Sequence, residues 1–173
     1  MSSPLEWAVS APDLFQANLL RVAQGAVVRS QEDGRADTGA SPSRGRVLIV
    51  EDEYFVALDA EDALSAAGFT VVGVAATAED AVKMAAADRP DIVLMDIRLA
   101  GSRDGIDAAA EIRSQLGILS LFATAHSDAA TRSRGDAAAS PLGWLSKPYS
   151  HSEIAAAVSE AIIKARRGST GGV

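Results

Sequence analysis

Polar side chains able to handle phosphate and a metal ion follow four separate apolar runs of this chain. Glu51 and Asp52 come after VLIV, Asp96 follows IVLM, Thr124 ends ILSLFAT, and Lys147 ends GWLSK. Three carboxylates brought into one crevice repel each other and require a compensating cation. Mg²⁺ suits this oxygen-only set, since it binds carboxylates together with waters and phosphate oxygens. Zinc is disfavoured because no His or Cys belongs to the set.

Asp96 is the candidate nucleophile of this set. It follows the third apolar run, after the run that precedes Glu51 and Asp52 and before the runs that end in Thr124 and Lys147. Lysine binds phosphate as a flexible point charge and threonine donates a hydroxyl, so both can hold oxygens of a phosphoryl group on a carboxylate. Phosphoryl transfer to aspartate depends mainly on positioning and charge neutralisation. Each residue alone is equally typical of a helix cap or a turn. Their joint occurrence at strand ends favours a phosphoacceptor.

The apolar runs and the segments between them predict the elements that position these side chains. We expect buried strands at residues 46–51, 69–75, 91–96, 118–124 and 143–147. Helices are expected near residues 53–67, 77–88, 105–116, 128–139 and 152–167, with Thr77 and Ser150 or Ser152 as N-caps and Gly68 and Gly168 as C-terminal stops. Strict alternation implies a doubly wound parallel α/β sheet, with functional groups at the carboxyl ends of the strands.

The chain before the first strand has a different composition. Residues 1–30 are expected to form an extension with an amphipathic helix over about residues 12–28, since Phe15, Leu19 and Val22 recur at helical spacing. The Gly, Ser, Asp and Arg content of residues 31–45 predicts a flexible linker. The helix is expected to pack on the following domain or its copy in a dimer, or to dock on a signalling partner. The domain itself is predicted over residues 46–167, with a disordered tail at 168–173.

Composition narrows the class of protein. At 173 residues, with no cysteine, the chain is expected to hold one domain with an appendage, no disulfides and no second output domain. The net charge of -7 argues against direct nucleic-acid binding, which needs clustered positive charge. No apolar stretch is long enough to span a membrane and no signal peptide is evident, so the expected location is the cytoplasm.

The motifs VLIVEDE, DIVLMDIRL, FATA and LSKPY resemble those of the receiver domain of two-component response regulators, over about residues 46–167. The resemblance implies a flavodoxin-like sheet with strand order 2-1-3-4-5 and five helices. It also implies that Asp96 accepts phosphate from a histidine kinase or phosphotransfer protein, with Mg²⁺ held by Glu51, Asp52, Asp96 and the backbone carbonyl of Arg98.

The same resemblance assigns roles to the later motifs. Thr124 and Lys147 would contact the phosphoryl oxygens, and the Lys147–Pro148 bond would be cis. The switch aromatic of the family, normally Tyr or Phe, falls on Trp144, whose alternative role is to pack under the fourth helix. The loop after Asp96 also departs from the family pattern.

Two positions carry that loop's departure from the pattern. Ala100 stands where proline is usual, and Gly105 comes about one residue late. The motif EDEYFVALDAEDAL resembles those of single-domain receivers and anti-anti-sigma receivers of the alphaproteobacterial general stress response, and the FAT ending of the fourth strand is most similar to a single-domain subset of them. Two histidines, His126 and His151, are conceivable relay residues, although a modulating role for His126 and a surface position for His151 are favoured.

These features favour a stand-alone phosphorylation switch or phosphate sink rather than an enzyme. Output is expected by protein contact through the fourth helix, fifth strand and fifth helix, and a homodimer through the N-terminal helix or the last-helix face is left open. One alternative is a receiver-like binding module that is never phosphorylated. Another is an aspartyl-phosphate phosphatase, which would need an acid where Arg98 stands.

Overall fold

The computed structural model describes residues 43–125 and 128–169 of the chain. The predicted N-terminal helix, most of the linker and His126 lie outside these residues. Among the described helices, none combines the length and apolarity that a membrane crossing requires.

Five parallel strands form the sheet. They are β1 (Arg46–Val50), β2 (Thr70–Ala75), β3 (Ile92–Met95), β4 (Ser120–Thr124) and β5 (Gly143–Ser146), in the order β2-β1-β3-β4-β5. The three interior strands β1, β3 and β4 are mostly apolar runs of the sequence, and after Arg46 every one of their residues is buried. The predicted fold class and strand order are confirmed.

Five helices cover the two faces of this sheet. They are α1 (Tyr54–Ala66), α2 (Ala78–Asp88), α3 (Gly105–Leu116), α4 (Ala129–Ala139) and α5 (His151–Ser169). One core cluster joins Leu64 of α1 and Ile154 of α5 to one face of the sheet. The other joins Ala81 of α2, Ile112 of α3 and Ala139 of α4 to the opposite face. Because parallel strands need crossover helices, both faces are buried.

Local chemistry begins most of these helices where the sequence predicts. The Thr77 hydroxyl accepts a hydrogen bond from the backbone N–H of Asp80 at 3.1 Å. Ser150 and Glu153 form a reciprocal capping box, with the Ser150 N–H donating to Oε2 of Glu153 at 2.7 Å. Gly68 follows the end of α1 with a positive φ of 87°, a conformation that suits glycine.

The predicted stop at Gly168 is wrong. α5 continues through this residue to Ser169. Glycine lowers helix stability by about 1 kcal/mol relative to alanine but leaves helical backbone angles accessible. The last turn of α5 therefore forms despite the glycine.

Candidate functional site

Strand register brings the predicted site residues to one edge of the sheet. Val50 of β1 pairs with Met95 of β3, so the residues that follow them, Glu51 and Asp96, are neighbours. The Asp96 N–H donates to the Val50 carbonyl at 2.9 Å, which extends the hydrogen bonding with β1 one residue past the end of β3. On the other side of β3, the Lys147 N–H donates to the carbonyl of Thr124 at 3.0 Å. The carboxyl ends of four strands thus surround Asp96.

Three carboxylates form the acidic part of the site. Glu51 and Asp96 are buried, with 3% and 8% of their surface exposed, and Asp52 is exposed. One oxygen from each lies within 4.8 Å of the others. A donor set made of carboxylate oxygens, open to solvent on the Asp52 side, fits a hard cation such as Mg²⁺. Arg98, whose carbonyl is the fourth expected ligand, lies two residues beyond Asp96 in the same loop.

Lys147 supplies positive charge to the two buried carboxylates. Its Nζ is 2.7 Å from Oδ2 of Asp96 and also forms an ion pair with Oε2 of Glu51. Burial alone would lower the pKa of Lys147, but the hydrogen bonds to Asp96 and Glu51 outweigh it and raise the pKa above its ordinary value. The lysine is therefore a cation at neutral pH.

The negative charge of Glu51 is only partly compensated by its surroundings. Burial raises the pKa of its carboxyl group, and the hydrogen bond and charge of Lys147 offset this effect only in part. The second oxygen of Glu51 accepts a hydrogen bond from the Glu53 N–H at 3.2 Å. Ionisation of the buried Glu51 carboxyl remains unfavourable even beside Lys147. A further cation at this position would therefore stabilise the charged form of Glu51.

The backbone after β3 orients the Asp96 carboxylate. Its Oδ1 accepts hydrogen bonds from the N–H groups of Ile97 at 2.6 Å and Arg98 at 3.3 Å, which leaves Oδ2 directed at Lys147. One carboxylate oxygen is thus held by the chain that follows it. The other faces the cation that would receive phosphoryl oxygens.

Gly105 supports this arrangement from the start of α3. Its N–H donates to the Ile97 carbonyl at 2.8 Å, and a Cβ atom at position 105 would come within 1.8 Å of the Asp96 carbonyl oxygen. The glycine that comes late in the sequence motif therefore still packs on the backbone of Asp96. Sequence reasoning noted its position but missed this contact, although a glycine directly after an Asp N-cap could have suggested it.

Thr124 lies at the end of β4 and His151 at the start of α5. Thr124 ends β4 and is 3% exposed. The Lys147–Pro148 peptide bond is cis, in agreement with the expectation from the motif. His151, at the start of α5, is exposed, and its Nε2 lies 2.8 Å from Oδ1 of Asp59 on α1. The structure therefore places Thr124 beside the backbone of Lys147, and His151 in a surface contact between helices.

Trp144 packs inward between β4 and α4. Its ring lies 4.7 Å from that of Phe122, measured between centroids, and its Nε1 donates to Oδ1 of Asp136 at 3.0 Å. The guanidinium of Arg132 lies over the indole at 5.2 Å. Gly135 faces the ring where a side chain would collide with it. Sequence reasoning had named Trp144 but missed Gly135 and Asp136, which carry no motif of their own.

Comparison with known proteins agrees with this geometry. A family model for the response regulator receiver domain matches residues 47–159. The transcriptional regulatory protein PdtaR of Mycobacterium tuberculosis is 39% identical over 123 residues, which cover 70% of this chain and 58% of that protein. The phyllosphere-induced regulator PhyR of Methylorubrum extorquens is 31% identical over 137 residues, which cover 78% of this chain and 50% of PhyR. The chain thus spans about half the length of these relatives.

A solved structure shares the architecture. The signal receiver domain of a modulated diguanylate cyclase from Desulfovibrio desulfuricans superposes with a TM-score of 0.67 and 34% identity, over 72% of this chain and 98% of that domain.

Proposed function

This chain belongs to the response regulator receiver domain family, and on that premise we propose that it is a signalling switch in which Asp96 accepts a phosphoryl group from a phosphohistidine. One observation supports the proposal most directly. Asp96 lies close to two further carboxylates, with one oxygen of each of the three within 4.8 Å of the others, and its Oδ2 is 2.7 Å from the Lys147 ammonium. This arrangement combines a nucleophile, a cation and an oxygen ligand set.

The proposed reaction moves one phosphoryl group. An oxygen of the Asp96 carboxylate attacks the phosphorus of the donor, the P–N bond of the phosphohistidine breaks, and the released imidazole nitrogen takes a proton. Glu51, Asp52, Asp96 and the Arg98 carbonyl would hold Mg²⁺, which when bound neutralises charge on the phosphoryl oxygens. Hydrolysis of the product returns the carboxylate and inorganic phosphate.

Different residues around Asp96 would hold the carboxylate and the separate oxygens of the phosphoryl group. The Ile97 and Arg98 amides keep Oδ1 of Asp96 in place. Lys147, a cation at neutral pH, would exchange its carboxylate contact for a phosphoryl oxygen. Thr124, at the end of the neighbouring strand, would offer its hydroxyl to another oxygen. Phosphorylation would replace the single negative charge of the Asp96 carboxylate with an acyl phosphate charge of about -2, and this change would draw the ends of β4 and β5 toward it.

We extend the proposal to a stand-alone switch or phosphate sink in the cytoplasm that is read by protein contact. The donor would be a histidine kinase or phosphotransfer protein, and the surface of α4, β5 and α5 would be the output face. The net charge of -7 supports a protein partner over nucleic acid. The likeness to general stress response receivers supports an output protein of that pathway. Dimerisation remains part of the proposal and is tested by the mass of the chain with and without residues 1–30.

The test is phosphorylation by a small donor. The chain is incubated with Mg²⁺ and acetyl phosphate, and separately with beryllofluoride, and the product is followed by intact mass and by fluorine NMR. We expect one phosphoryl group per chain and one bound beryllofluoride. Asp96→Asn is the matched control, because the amide keeps the shape of the side chain and removes the nucleophilic charge.

The outcomes separate the proposal from its alternative. Gain of a phosphoryl group by wild type and by Asp96→Asn alike would place the acceptor elsewhere. No gain and no beryllofluoride signal in wild type would favour a receiver-like module that binds partners without phosphorylation.

A further inference from the structure

Arg134 of α4 makes a two-armed contact with the start of α3. Its Nη1 lies 2.5 Å from Oδ2 of Asp104, and its Nη2 lies 2.9 Å from Oδ1 of the same carboxylate. Nη2 also donates to Oδ1 of Asp107 at 2.8 Å. A bidentate arginine pair of this kind fixes the angle between two elements as well as their separation. α4 is therefore joined to the N-terminus of α3 by one side chain.

Asp104 connects this contact to the helix backbone. Its Oδ1 accepts hydrogen bonds from the N–H groups of Ile106 and Asp107, both at 3.0 Å, so Asp104 is the N-cap of α3. Partial burial would raise the pKa of the Asp104 carboxyl, but the Arg134 hydrogen bonds and these two amides outweigh burial and lower it. Asp104 is thus ionised when it holds Arg134.

The next residue joins the cap to the phosphoacceptor loop. Gly105 donates its N–H to the Ile97 carbonyl at 2.8 Å and packs against the Asp96 carbonyl. The Ile97 N–H in turn binds Oδ1 of Asp96 at 2.6 Å. Residues 97–104 therefore form a loop that is closed at one end by Asp96 and at the other by the Asp104 cap. Hydrogen bonds, together with the peptide bond between Asp104 and Gly105, thus connect Arg134 to Asp96.

α4 depends on polar contacts of this kind more than its neighbour does. All eleven residues of α4 are described, and the two that are buried are Gly135 and Ala139. α3 buries Ile106 and Ile112, which contribute far more apolar area. Because α4 buries so little, the Arg134 contact has a large share in setting its position against the loop.

We propose that Arg134 is a positioning residue for the phosphoacceptor loop. By holding Asp104, it keeps residues 97–104 in the shape that presents the Asp96 carboxylate and the Arg98 carbonyl to a metal ion. This inference rests on the proposed function, because it assumes that these groups bind Mg²⁺. It adds a connection from α4 to the site that does not pass through Thr124 or Trp144.

The direction in which Mg²⁺ affinity changes when Arg134 is replaced distinguishes a positioning role from a purely electrostatic effect. Removal of a positive charge near a carboxylate cluster favours binding of a divalent cation, since one repulsive charge is lost. Loss of positioning would instead weaken Mg²⁺ binding, because part of the binding free energy would then be used to order the loop of residues 97–104. A weaker affinity for Mg²⁺ after loss of Arg134 therefore indicates positioning.

The experiment titrates the full chain with MgCl₂ alone and follows the heat of binding. We expect Arg134→Gln to weaken Mg²⁺ binding about three- to tenfold, which is modest because the contact is partly exposed. Asp104→Asn, which keeps the cap and loses the charge, is expected to weaken it similarly. The double variant should be little worse than either single one. Lys83→Gln, which removes an exposed cation paired with Asp80 on α2, is the matched control and should leave the affinity unchanged.

A second readout follows the loop directly. Amide hydrogen exchange at Gly105 and Ile97 is expected to be faster in Arg134→Gln, whereas exchange in β1 is unchanged. Arg134→Lys, which keeps the charge but not the two-armed contact, should recover part of the affinity. This variant also serves if Arg134→Gln does not fold.

The outcomes distinguish the inference from the proposed function. Equal or tighter Mg²⁺ binding by Arg134→Gln than by wild type overturns the positioning role while the proposed function stands. Failure of the wild-type chain to bind Mg²⁺ would overturn the metal site itself, and the positioning role with it.

Discussion

Trp144 occupies the space that a side chain at position 135 would need. A Cβ atom on Gly135 would lie 2.7 Å from Cη2 and 2.8 Å from Cζ2 of the indole. The ring also packs against Phe122, and its Nε1 donates a hydrogen bond to Asp136. Trp144 and Gly135 are therefore complementary in shape. The absence of a side chain at Gly135 makes room on α4 for an indole at the position where receivers usually have a smaller aromatic ring.

Gly135→Ala is expected to destabilise the protein by about 1–2 kcal/mol. Overpacking against the indole costs about 1–3 kcal/mol, and the better helix propensity of alanine returns at most about 1 kcal/mol. Urea denaturation measures the change in the free energy of unfolding. Gly168→Ala in α5 is the control, since nothing lies within 4 Å of its added Cβ, and it should be neutral or stabilising. A stabilised Gly135→Ala variant would contradict the close packing.

Lys147→Gln is expected to lower stability by about 3 kcal/mol in the presence of a chelator. The substitution leaves Glu51 and Asp96 buried without their cation, and breaking a buried pair from one side costs about 3–5 kcal/mol. The same variant should bind Mg²⁺ more tightly than wild type, because the metal no longer competes with an ammonium group. Denaturation with and without MgCl₂ measures both effects.

The control for this prediction is Lys164→Gln on the exposed side of α5, which makes the same change in charge. It should alter neither stability nor Mg²⁺ affinity beyond about 0.5 kcal/mol. An unchanged stability of Lys147→Gln in chelator would show that the lysine does not compensate the carboxylates.

Gly105→Ala is expected to destabilise the protein by more than about 2 kcal/mol and to abolish phosphorylation by small donors. Its Cβ would lie 1.8 Å from the Asp96 carbonyl oxygen, so the backbone at Asp96 must shift. Denaturation and intact mass after acetyl phosphate treatment measure the two effects. Gly143→Ala, whose nearest contact would be Leu121 at 3.4 Å, should be tolerated. Normal phosphorylation of Gly105→Ala would show that the loop adapts freely.

The contact between Arg134 and Asp104 should weaken in acid. The pKa of the Asp104 carboxyl is lowered from its ordinary 3.8 in the folded chain, so the unfolded chain binds more protons between the two values. The stabilisation is therefore present above pH 3.8 and is lost as the pH falls through the lowered pKa. At neutral pH, Arg134→Gln should lower the free energy of unfolding by at most about 1 kcal/mol.

The measurement is the difference in unfolding free energy between wild type and Arg134→Gln across this acidic range. The difference should shrink as the pH falls. A difference that grows on acidification would contradict the assignment of the charged carboxylate to Asp104.

Residues set by chain-local patterns were accessible from the sequence. Glu51, Asp96 and Lys147 each follow a short apolar run, and parallel strands bring their ends together without further information. The caps at Thr77 and Ser150 depend on neighbours three residues away, and these too were predicted. The α/β fold class and the grouping of the site residues followed from such short-range rules, whereas the strand order came from the resemblance to receiver domains.

Contacts between elements far apart in the chain were not accessible. The Arg134 and Asp104 pair spans 30 residues, and nothing in either segment indicates which faces of α3 and α4 meet. The place of Trp144 against Gly135 likewise depends on the seating of α4 on the sheet. The end of α5 was predicted wrongly because Gly168 was taken as a helix stop. Glycine lowers helix stability only by a small free energy, and the helix continues through it.

The small buried surface of α4 has an evolutionary consequence. The sheet holds this helix through Gly135 and Ala139, whereas Ala130, Ser133 and Ala137 are open to solvent. Substitutions at these solvent positions leave the core unchanged and should therefore carry little penalty in stability. Selection for a new binding partner could act on this surface almost independently of selection for folding.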